Sequence, residues 1–352
     1  MNNAFRPTLP LSAIGDDALR QAVQAALDAK TKPLGSLGRI EALALQLALA
    51  LRDPEPCLRQ PQLVVFAADH GIAAQGVSAY PAEVTRQMVL NFLAGGAAVS
   101  VLARQHGISV TVADCGVAGV FDAHDQLATL KVPGAERGSA DTSQGPAMSA
   151  AQCEAAIGHG RRLVAGLPGN ALLLGEMGIG NTSAAALLMA RLTGEALALC
   201  TGRGTGLDDA ALARKVAVLQ RALAANAQAH TPLQALAALG GLEIAAMVGA
   251  VQQADADGRV IVVDGFITTA AVAVAAALQP ELLQRCVFAH RSQESGHARW
   301  LQRLGVAPLL DLELRLGEGS GAALAWPLLE SACRVLAQMA SFDAAGVSRR
   351  AQ

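Results

Sequence analysis

Residues 62–71 read "QLVVFAADHG", an apolar run that ends in Asp69, His70 and Gly71. Continuous apolar runs of this length are typical of parallel strands covered by helices on both faces, whereas strands with one exposed face alternate apolar and polar residues. In open α/β sheets, ligands bind outside the carboxyl ends of the strands. This stretch therefore predicts a strand of a buried parallel sheet, with polar side chains at the edge where a ligand would bind.

The same pattern recurs along the chain. Further strands are predicted at 108–114, 171–177, 259–265 and 285–290, with a weaker sixth at 309–314. Helix-like segments separate them, such as 207–225, which carries acidic residues in its first turn. Alternation of strands and helices predicts an α/β fold with an open, mainly parallel sheet flanked by helices.

The two ends of the chain differ from this central region. Helix-like stretches at 16–29 and 327–342 lie outside the strands. We expect residues 1–60 and 325–352 to form a small helical subdomain, and residues 61–324 to form a large α/β domain. Residues 120–150 are polar and rich in Gly, Pro and Ser, which predicts a long excursion or a lid.

Composition excludes several classes of protein. Of the 352 residues, 52% are hydrophobic and only 16% are charged, and the formal net charge is −2. Without a basic block, nucleic acid is not an expected partner. The apolar run at 267–278 is shorter than the ~18 residues that a membrane span needs, and no signal peptide is evident, so no membrane partner is expected. Six scattered cysteines predict reduced thiols in a cytoplasmic protein.

Two glycine-bearing loops could bind phosphate. Residues 175–188, "GEMGIGNTSAAALL", place glycines before a helix start, and residues 201–209, "TGRGTGLDD", alternate glycine with Thr and Arg. Backbone N–H groups at such loops attract anions, with Lys215 or Ser292 as a further contact. An ordinary helix cap and a flexible turn remain the alternatives, since neither loop fits a dinucleotide or P-loop fingerprint.

Acidic and histidine side chains also follow the strands. Glu318 lies between glycines in "RLGEGSGAAL" at 315–324, where a carboxylate would repel a phosphate. Asp69 and His70 are expected to form a structural hydrogen-bonded pair, and Glu243 and Asp264 to belong to buried polar networks. His290 and His297 are seven residues apart, a spacing that suits polar recognition of a substrate better than a metal site.

At these motifs the sequence resembles the nicotinate-nucleotide–dimethylbenzimidazole phosphoribosyltransferase family. The matching segments run in order from Lys32 to about Ala325 and cover most of the chain. They are "KPLGSLGRIEALA", "ADHGIAAQGVSAYPAEVTRQMV", "GEMGIGNTSAA", "GRGTGLDD", "GGLEIAAMVGA", "DGFITTAA", "HRSQESGH" and "LRLGEGSGAALA". The resemblance implies a Rossmann-like sheet with a small helical subdomain, a homodimer, and small-molecule substrates, with no cofactor and no metal.

The resemblance also implies roles for individual residues. The catalytic glutamate of the family falls on Glu318, and its second acidic residue falls on Glu176. Contacts to the nucleotide phosphate fall on the glycines of "GRGTG", Lys215 and Ser292, and the benzimidazole pocket falls on Tyr80, Gln87 and Leu316. The full set expected to bind substrate is Tyr80, Gln87, Gly178, Gly180, Asn181, Gly202, Gly204, Lys215, Ser292 and Leu316.

The implied reaction transfers phosphoribose from nicotinate mononucleotide to 5,6-dimethylbenzimidazole, giving α-ribazole 5′-phosphate and nicotinate with inversion at the anomeric carbon. One carboxylate base suffices, because the nicotinate ring leaves from a cationic pyridinium without being protonated. Two alternatives are a nucleotide-dependent oxidoreductase on a Rossmann-like sheet and a non-catalytic nucleotide-binding protein. The first lacks a GxGxxG fingerprint after its first strand, and the second would not need both Glu318 and Glu176.

Overall fold

The structure is a computed structural model that describes residues 17–204 and 206–348. Its centre is a six-stranded sheet in which every neighbouring pair of strands is parallel. The strands are β1 (Gln62–Ala68), β2 (Ser109–Gly116), β3 (Leu127–Thr129), β4 (Ala171–Met177), β5 (Val260–Val263) and β6 (Cys286–Phe288).

Helices fill the connections between the strands. They are α1 (Asp17–Asp28), α2 (Arg39–Leu51), α3 (Glu83–Leu93), α4 (Ala98–Gln105), α5 (Ala150–Ala165), α6 (Asn181–Thr193), α7 (Leu197–Cys200), α8 (Asp209–Ala225), α9 (Pro232–Leu239), α10 (Leu242–Ala256), α11 (Phe266–Leu278), α12 (Ser295–Leu304), α13 (Ser320–Gln338) and α14 (Phe342–Ala345). Two 3-10 helices, Gly71–Gln75 and Pro280–Arg285, complete the described segments.

The strand order is β3-β2-β1-β4-β5-β6, the order of a doubly wound Rossmann sheet. The order reverses between β1 and β4, which lie side by side at the middle of the sheet. Ligands of such folds bind at this switch point, outside the carboxyl ends of the strands. The predicted fold class is therefore confirmed, and five of the six predicted strands lie where the sequence places them.

The sixth predicted strand is wrong. Residues 309–314 make a single bridge, from Leu310 to His290, and then leave the sheet. Leu312 is 54% exposed and Glu313 has a positive φ of 58°, so this run is neither buried nor extended throughout. The actual sixth strand is β3, inside the segment predicted as a loop or lid. It is three residues long and only partly buried, so the sequence carries no apolar run to mark it.

Both faces of the sheet are covered, and alternate residues of β1 show how. Val64 and Phe66 belong to one core, which they share with residues of α5, α6, α10 and α11. Leu63 and Val65 belong to a second core, which they share with residues of α2, α4 and α13. Every residue of β1 is buried, so the continuous apolar run follows directly from coverage on both faces.

The N- and C-terminal helices pack against each other. Lys30 and Ser341 form an antiparallel bridge, and the Lys30 ammonium donates a hydrogen bond to the carbonyl of Met339 at 2.7 Å. Residues of α1, α2 and α13 also join the second core, together with residues of the sheet. The division into a small helical subdomain and a large domain stays a prediction.

The segment 120–150 is fixed at its end by backbone hydrogen bonds. The N–H groups of Ala147 and Met148 donate to the carbonyls of Ala238 and Ala237, at 2.9 and 3.0 Å. Another residue of the segment, Ser139, forms a parallel bridge with His70 at the end of β1. A role as a lid stays a prediction.

One stretch, Glu83–Gln105, is long and apolar enough to pass a test for a membrane span based on length and composition. In the structure it consists of two helices, α3 and α4, separated by residues 94–97. Val89 and Phe92 on the first helix and Val99 on the second are buried in the second core. The stretch therefore contributes two core helices to a folded domain.

Two glycines set the contact between α5 and α10. A Cβ added at Gly160 would overlap the carbonyl of Ala246, and a Cβ added at Gly249 would overlap the carbonyl of Ile157. The two helix backbones therefore approach as closely as glycine allows. By contrast, a Cβ added at Gly158 on the same helix α5 would meet only the guanidinium of Arg162 at 3.4 Å.

These environments predict opposite effects for the same substitution two residues apart. Gly160→Ala forces α5 and α10 apart and should lower the free energy of unfolding by about 1–3 kcal/mol. Gly158→Ala fills open space in a helix and should raise it by up to about 1 kcal/mol. Thermal melting of both variants checks this, and equal melting temperatures would contradict the close packing of α5 on α10.

Candidate active site

Loops at the carboxyl edge of the sheet enclose a cavity of about 90 Å³. The cavity lies beside the switch point, since its walls come from the ends of β4, β5 and β6 and from the loop before α13. Ligand pockets usually measure about 300–1,000 Å³, so the closed part of this site holds only a fragment of a nucleotide. The predicted site residues that line it are Glu176, Gly178, Asn181, Gly204, Ser292, Leu316 and Glu318.

Glu176 is held in place near the end of β4, where it pairs in register with Phe66 of β1. Its Oε2 accepts a hydrogen bond from the side-chain amide of Asn181, and its Oε1 accepts one from the backbone N–H of Glu318 at 3.3 Å. The side chain is buried. Burial, and after it the charge of Asp264, raises the pKa of Glu176 to about 8.

Glu318 has a left-handed backbone with φ of 67°, and its neighbours Gly317 and Gly319 also have positive φ angles. A non-glycine residue in this region costs on the order of 1 kcal/mol, and such strain is concentrated at functional sites. The bend packs on β4, where a Cβ added at Gly175 would overlap the carbonyl of Glu318. Burial, followed by the charge of Asp264, raises the pKa of the Glu318 carboxyl to about 7.

Asp264 follows β5 and connects the elements around the two glutamates. Its carboxylate accepts hydrogen bonds from the backbone N–H groups of Gly319 and Ala322, at 3.1 and 2.9 Å, where α13 begins. A carboxylate at a helix N-terminus satisfies donors that would otherwise lack partners. Its Oδ1 also lies 3.6 Å from Nε2 of His290. Asp264 therefore anchors the strained loop and supplies negative charge to it.

Lys215 lies under the "TGRG" loop, although its side chain comes from α8. Its ammonium donates to the hydroxyl of Thr182 at 2.9 Å and to the carbonyl of Gly202 at 3.4 Å. The side chain is only 1% exposed. Burial lowers the pKa of Lys215 to about 8, against an opposing effect from the Glu294 carboxylate. The "TGRG" loop and the buried ammonium of Lys215 together form a corner of the site that can bind an anion.

Ser292 also lines the cavity. Its hydroxyl accepts a hydrogen bond from the backbone N–H of Glu294 at 3.3 Å, and its own N–H donates to Nδ1 of His297 at 2.8 Å. His297 is thereby a structural residue, since its Nε2 also lies 3.0 Å from the hydroxyl of Thr269. Burial lowers the pKa of His297 to about 3, so it is neutral near pH 7.

The remaining predicted residues lie outside the cavity wall. Gly180, Gly202 and Lys215 adjoin it, whereas Tyr80 is 53% exposed and Gln87 is exposed on α3. A hydrogen bond connects α3 to the loop after β4: the backbone N–H of Ile179 donates to the hydroxyl of Thr85 at 3.1 Å. The roles of Tyr80 and Gln87 stay predictions.

The expected Asp69–His70 pair is wrong. His70 Nε2 lies 2.6 Å from Oε1 of Glu243, and Asp69 instead accepts a hydrogen bond from the N–H of Ala118 at 2.7 Å. Burial alone would lower the pKa of His70, but the Glu243 carboxylate reverses this and raises it. The expectation that Glu243 and Asp264 have buried partners is confirmed.

Cavity residues that were not singled out from the sequence include Phe266, Ile267 and Arg315. Each lies within a motif that the sequence analysis recognised, and its place in that motif is the signal that could have identified it. Within residues 17–204 and 206–348, no group of three or more His, Cys, Asp or Glu side chains is arranged to hold a metal ion.

Comparison with known proteins gives one consistent result. A family model described as phosphoribosyltransferase matches residues 14–347. A Variovorax paradoxus (strain S110) protein named nicotinate-nucleotide–dimethylbenzimidazole phosphoribosyltransferase is 63% identical, over 97% of this chain and 98% of that protein. A Cupriavidus necator protein of the same name is 57% identical, over 95% and 96%. The crystal structure of CobT from Thermus thermophilus matches with a TM-score of 0.89 and 42% identity, over 94% of this chain and 99% of that one.

The raised pKa of Glu176 predicts a pH-dependent cost in stability. Between its unfolded pKa near 4.5 and its folded pKa of about 8, the folded state binds more protons than the unfolded state, so stability falls as pH rises. Glu176→Gln removes this term. The stability of the variant relative to wild type should therefore increase from pH 5 to pH 8 by on the order of 2–4 kcal/mol.

Melting temperatures of both proteins at pH 5, 6, 7 and 8 check this prediction. Any loss of the Asn181 hydrogen bond is the same at every pH, so only the slope of the difference reports the charge. A difference that does not change with pH would contradict the burial of an ionisable Glu176.

Proposed function

The chain belongs to the phosphoribosyltransferase family whose relatives are named nicotinate-nucleotide–dimethylbenzimidazole phosphoribosyltransferases, and we propose that it transfers phosphoribose from nicotinate mononucleotide to 5,6-dimethylbenzimidazole. The products are α-ribazole 5′-phosphate and nicotinate, as in cobalamin nucleotide-loop assembly. One observation carries the mechanism: two buried carboxyl groups, Glu176 and Glu318, face one cavity with raised pKa values.

The chemistry needs a base and no acid. The bond that breaks joins the anomeric carbon to a pyridinium nitrogen, whose positive charge is neutralised when the bonding electrons return to the ring. The bond that forms joins the same carbon to a benzimidazole nitrogen, which attacks through its lone pair. The other nitrogen of the benzimidazole must then lose its proton.

Glu318 is the proposed acceptor of that proton. Its pKa of about 7 lets a large fraction be ionised at neutral pH while keeping the carboxylate more basic than an exposed glutamate. Positive φ angles at Gly317, Glu318 and Gly319 turn the backbone so that this side chain lines the cavity. General-base catalysis is typically worth roughly 10²–10⁴-fold in rate.

Glu176 is proposed to stabilise the positive charge that develops on the ribose. With a pKa of about 8 it is mostly protonated at neutral pH in the empty site. A cationic pyridinium ring nearby favours the ionised form and lowers that pKa, so substrate binding itself would charge Glu176. The benzimidazole nitrogen then attacks the anomeric carbon of the ribose from the face opposite the departing nicotinate. This attack inverts the anomeric carbon from β to α.

The substrate phosphate is proposed to bind at the corner formed by Gly202, Gly204, Lys215 and Ser292. Lys215 supports this role because its buried ammonium has a pKa of about 8 and is mostly charged at pH 7. Backbone N–H groups of glycine-rich loops are common phosphate ligands. The acceptor base is proposed to lie toward Leu316, which lines the cavity and is 55% exposed, with Tyr80 and Gln87 on the same approach.

Family membership sets aside both alternatives raised by the sequence, an oxidoreductase and a non-catalytic nucleotide-binding protein. We further propose that the chain acts as a homodimer in the cytoplasm. Two apolar side chains on consecutive helices, Leu90 on α3 and Val101 on α4, are exposed and are available to such a subunit interface.

The reaction is tested by incubating the protein with nicotinate mononucleotide and 5,6-dimethylbenzimidazole and separating the products. We expect equal amounts of nicotinate and α-ribazole 5′-phosphate. Glu318→Gln should lower kcat by roughly 10²–10⁴-fold while leaving the Kd of nicotinate mononucleotide within a few-fold of wild type. Gln keeps the size of the side chain and removes the base.

Glu330→Gln, on the distant part of α13, is the matched control and should keep wild-type turnover. Near-normal turnover by Glu318→Gln would refute the base assignment. Release of nicotinate without any transfer to the base would refute the proposed reaction.

A further inference from the structure

The corner proposed to bind phosphate already contains a negative charge. Glu294 precedes α12, lines the cavity, and has a side chain that is 8% exposed. A carboxylate and a phosphate repel each other, so this residue opposes the anion that the corner is built to bind. Its presence there needs an explanation.

The carboxylate points at the glycine loop. A Cβ added at Gly202 would overlap Oε2 of Glu294, so glycine at this position leaves room for the carboxylate. Among the residues that the structure describes, no hydrogen-bond donor reaches that Oε2. Glu294 is also the N-cap of α12, yet its side chain makes no capping hydrogen bond. The side chain is therefore directed into the site and away from the helix that it precedes.

Charged groups face Glu294 from two other elements. Lys215 projects from α8, and Arg315 lies in the loop before α13. Burial raises the pKa of Glu294, whereas Lys215, the backbone N–H of Gly204 and Arg315 oppose the rise. In turn, Glu294 favours the charged form of Lys215. Each group thus compensates the buried charge of the other while the site is empty.

We propose that the Glu294 carboxylate is the counter-ion of Lys215 when the site is empty. When a phosphate enters the corner formed by Gly202, Gly204, Lys215 and Ser292, Glu294 takes up a proton. The inference rests on the proposed function, because that function places a phosphate beside Lys215. The proton comes from solvent on binding and returns to solvent on release. Once protonated, the Glu294 carboxyl can donate a hydrogen bond to a phosphate oxygen.

The consequence is a coupling between anion affinity and pH. An incoming dianion beside Lys215 replaces the counter-ion and strongly disfavours a second negative charge, so protonated Glu294 is the form that accommodates it. As pH rises, this form becomes scarce and anion binding weakens, by up to about tenfold per pH unit when one proton is taken up per anion. Glu294 is thus a specificity residue for the charge of the phosphate group.

The coupling can be measured with sulfate, which stays dianionic across the range and needs no turnover. Isothermal titration calorimetry at pH 5.5–7.5 should show a sulfate Kd that rises with pH more steeply in wild type than in Glu294→Gln, where only the loss of charge on Lys215 and the ionisation of the other cavity carboxyl groups remain. At pH 7.5 the variant should bind sulfate at least about fivefold more tightly than wild type, because its neutral amide can donate a hydrogen bond. Wild type should also take up a proton on binding, seen as a heat that depends on the ionisation enthalpy of the buffer.

Three controls isolate the effect. Lys215→Ala should abolish sulfate binding, which places the anion in this corner. Glu281→Gln makes the same chemical change at an exposed site in the 3-10 helix Pro280–Arg285 and should behave as wild type. Glu176, Glu318, His290 and Lys215 are present in both wild type and Glu294→Gln, so a difference in pH dependence between the two proteins reports Glu294.

Two results would overturn the inference. One is a sulfate Kd with the same pH dependence in wild type and Glu294→Gln, and the other is sulfate binding that survives Lys215→Ala. The proposed function fails separately, through the absence of product in the transfer assay, because sulfate binding requires neither the ribose nor the acceptor base.

Discussion

The carboxylate of Asp264 is the constraint on which the active-site edge depends. It accepts hydrogen bonds from two backbone N–H groups at the start of α13, and through them it fixes the loop that bears Glu318. The same negative charge contributes to the raised pKa of both Glu318 and Glu176. One buried group therefore positions the loop that bears Glu318 and adds to the effect of burial on the pKa of both glutamates.

The site concentrates charge where the fold excludes water. Glu176 and Glu318 are held near one another at a cost to stability, and Lys215 is buried with Glu294 as its counter-ion. Such arrangements persist where substrate supplies the missing charge. A substrate with a cationic ring at one end and an anionic phosphate at the other is complementary to this pattern, because it places positive charge by the glutamates and negative charge by the lysine.

The sequence predicted the parallel sheet because β1 and β4 are buried on both faces, which leaves a continuous apolar run. The strand prediction failed at two places. Residues 309–314 are rich in leucine yet partly exposed, and β3 is too short to leave a recognisable pattern. The sequence located Glu176 at the binding edge because this residue lies at the carboxyl end of a predicted parallel strand. Glu318 follows a run that is not a strand, and the family resemblance identified it. The sequence could not pair His70 with Glu243, because those residues are 173 positions apart and only the fold brings them together.

The most direct test of this account is the pH dependence of kcat at saturating nicotinate mononucleotide in wild type and in Asp264→Asn, because saturation removes the pH dependence of phosphate binding. Both proteins keep Glu294 and Lys215, so the difference between their profiles reports the effect of Asp264 on the base. Wild type should show a rising limb with an apparent pKa of about 7, as Glu318 loses its proton. In Asp264→Asn that limb should move to lower pH, because a negative charge beside Glu318 is gone. A limb at the same pH in both proteins, or none in wild type, would contradict the account.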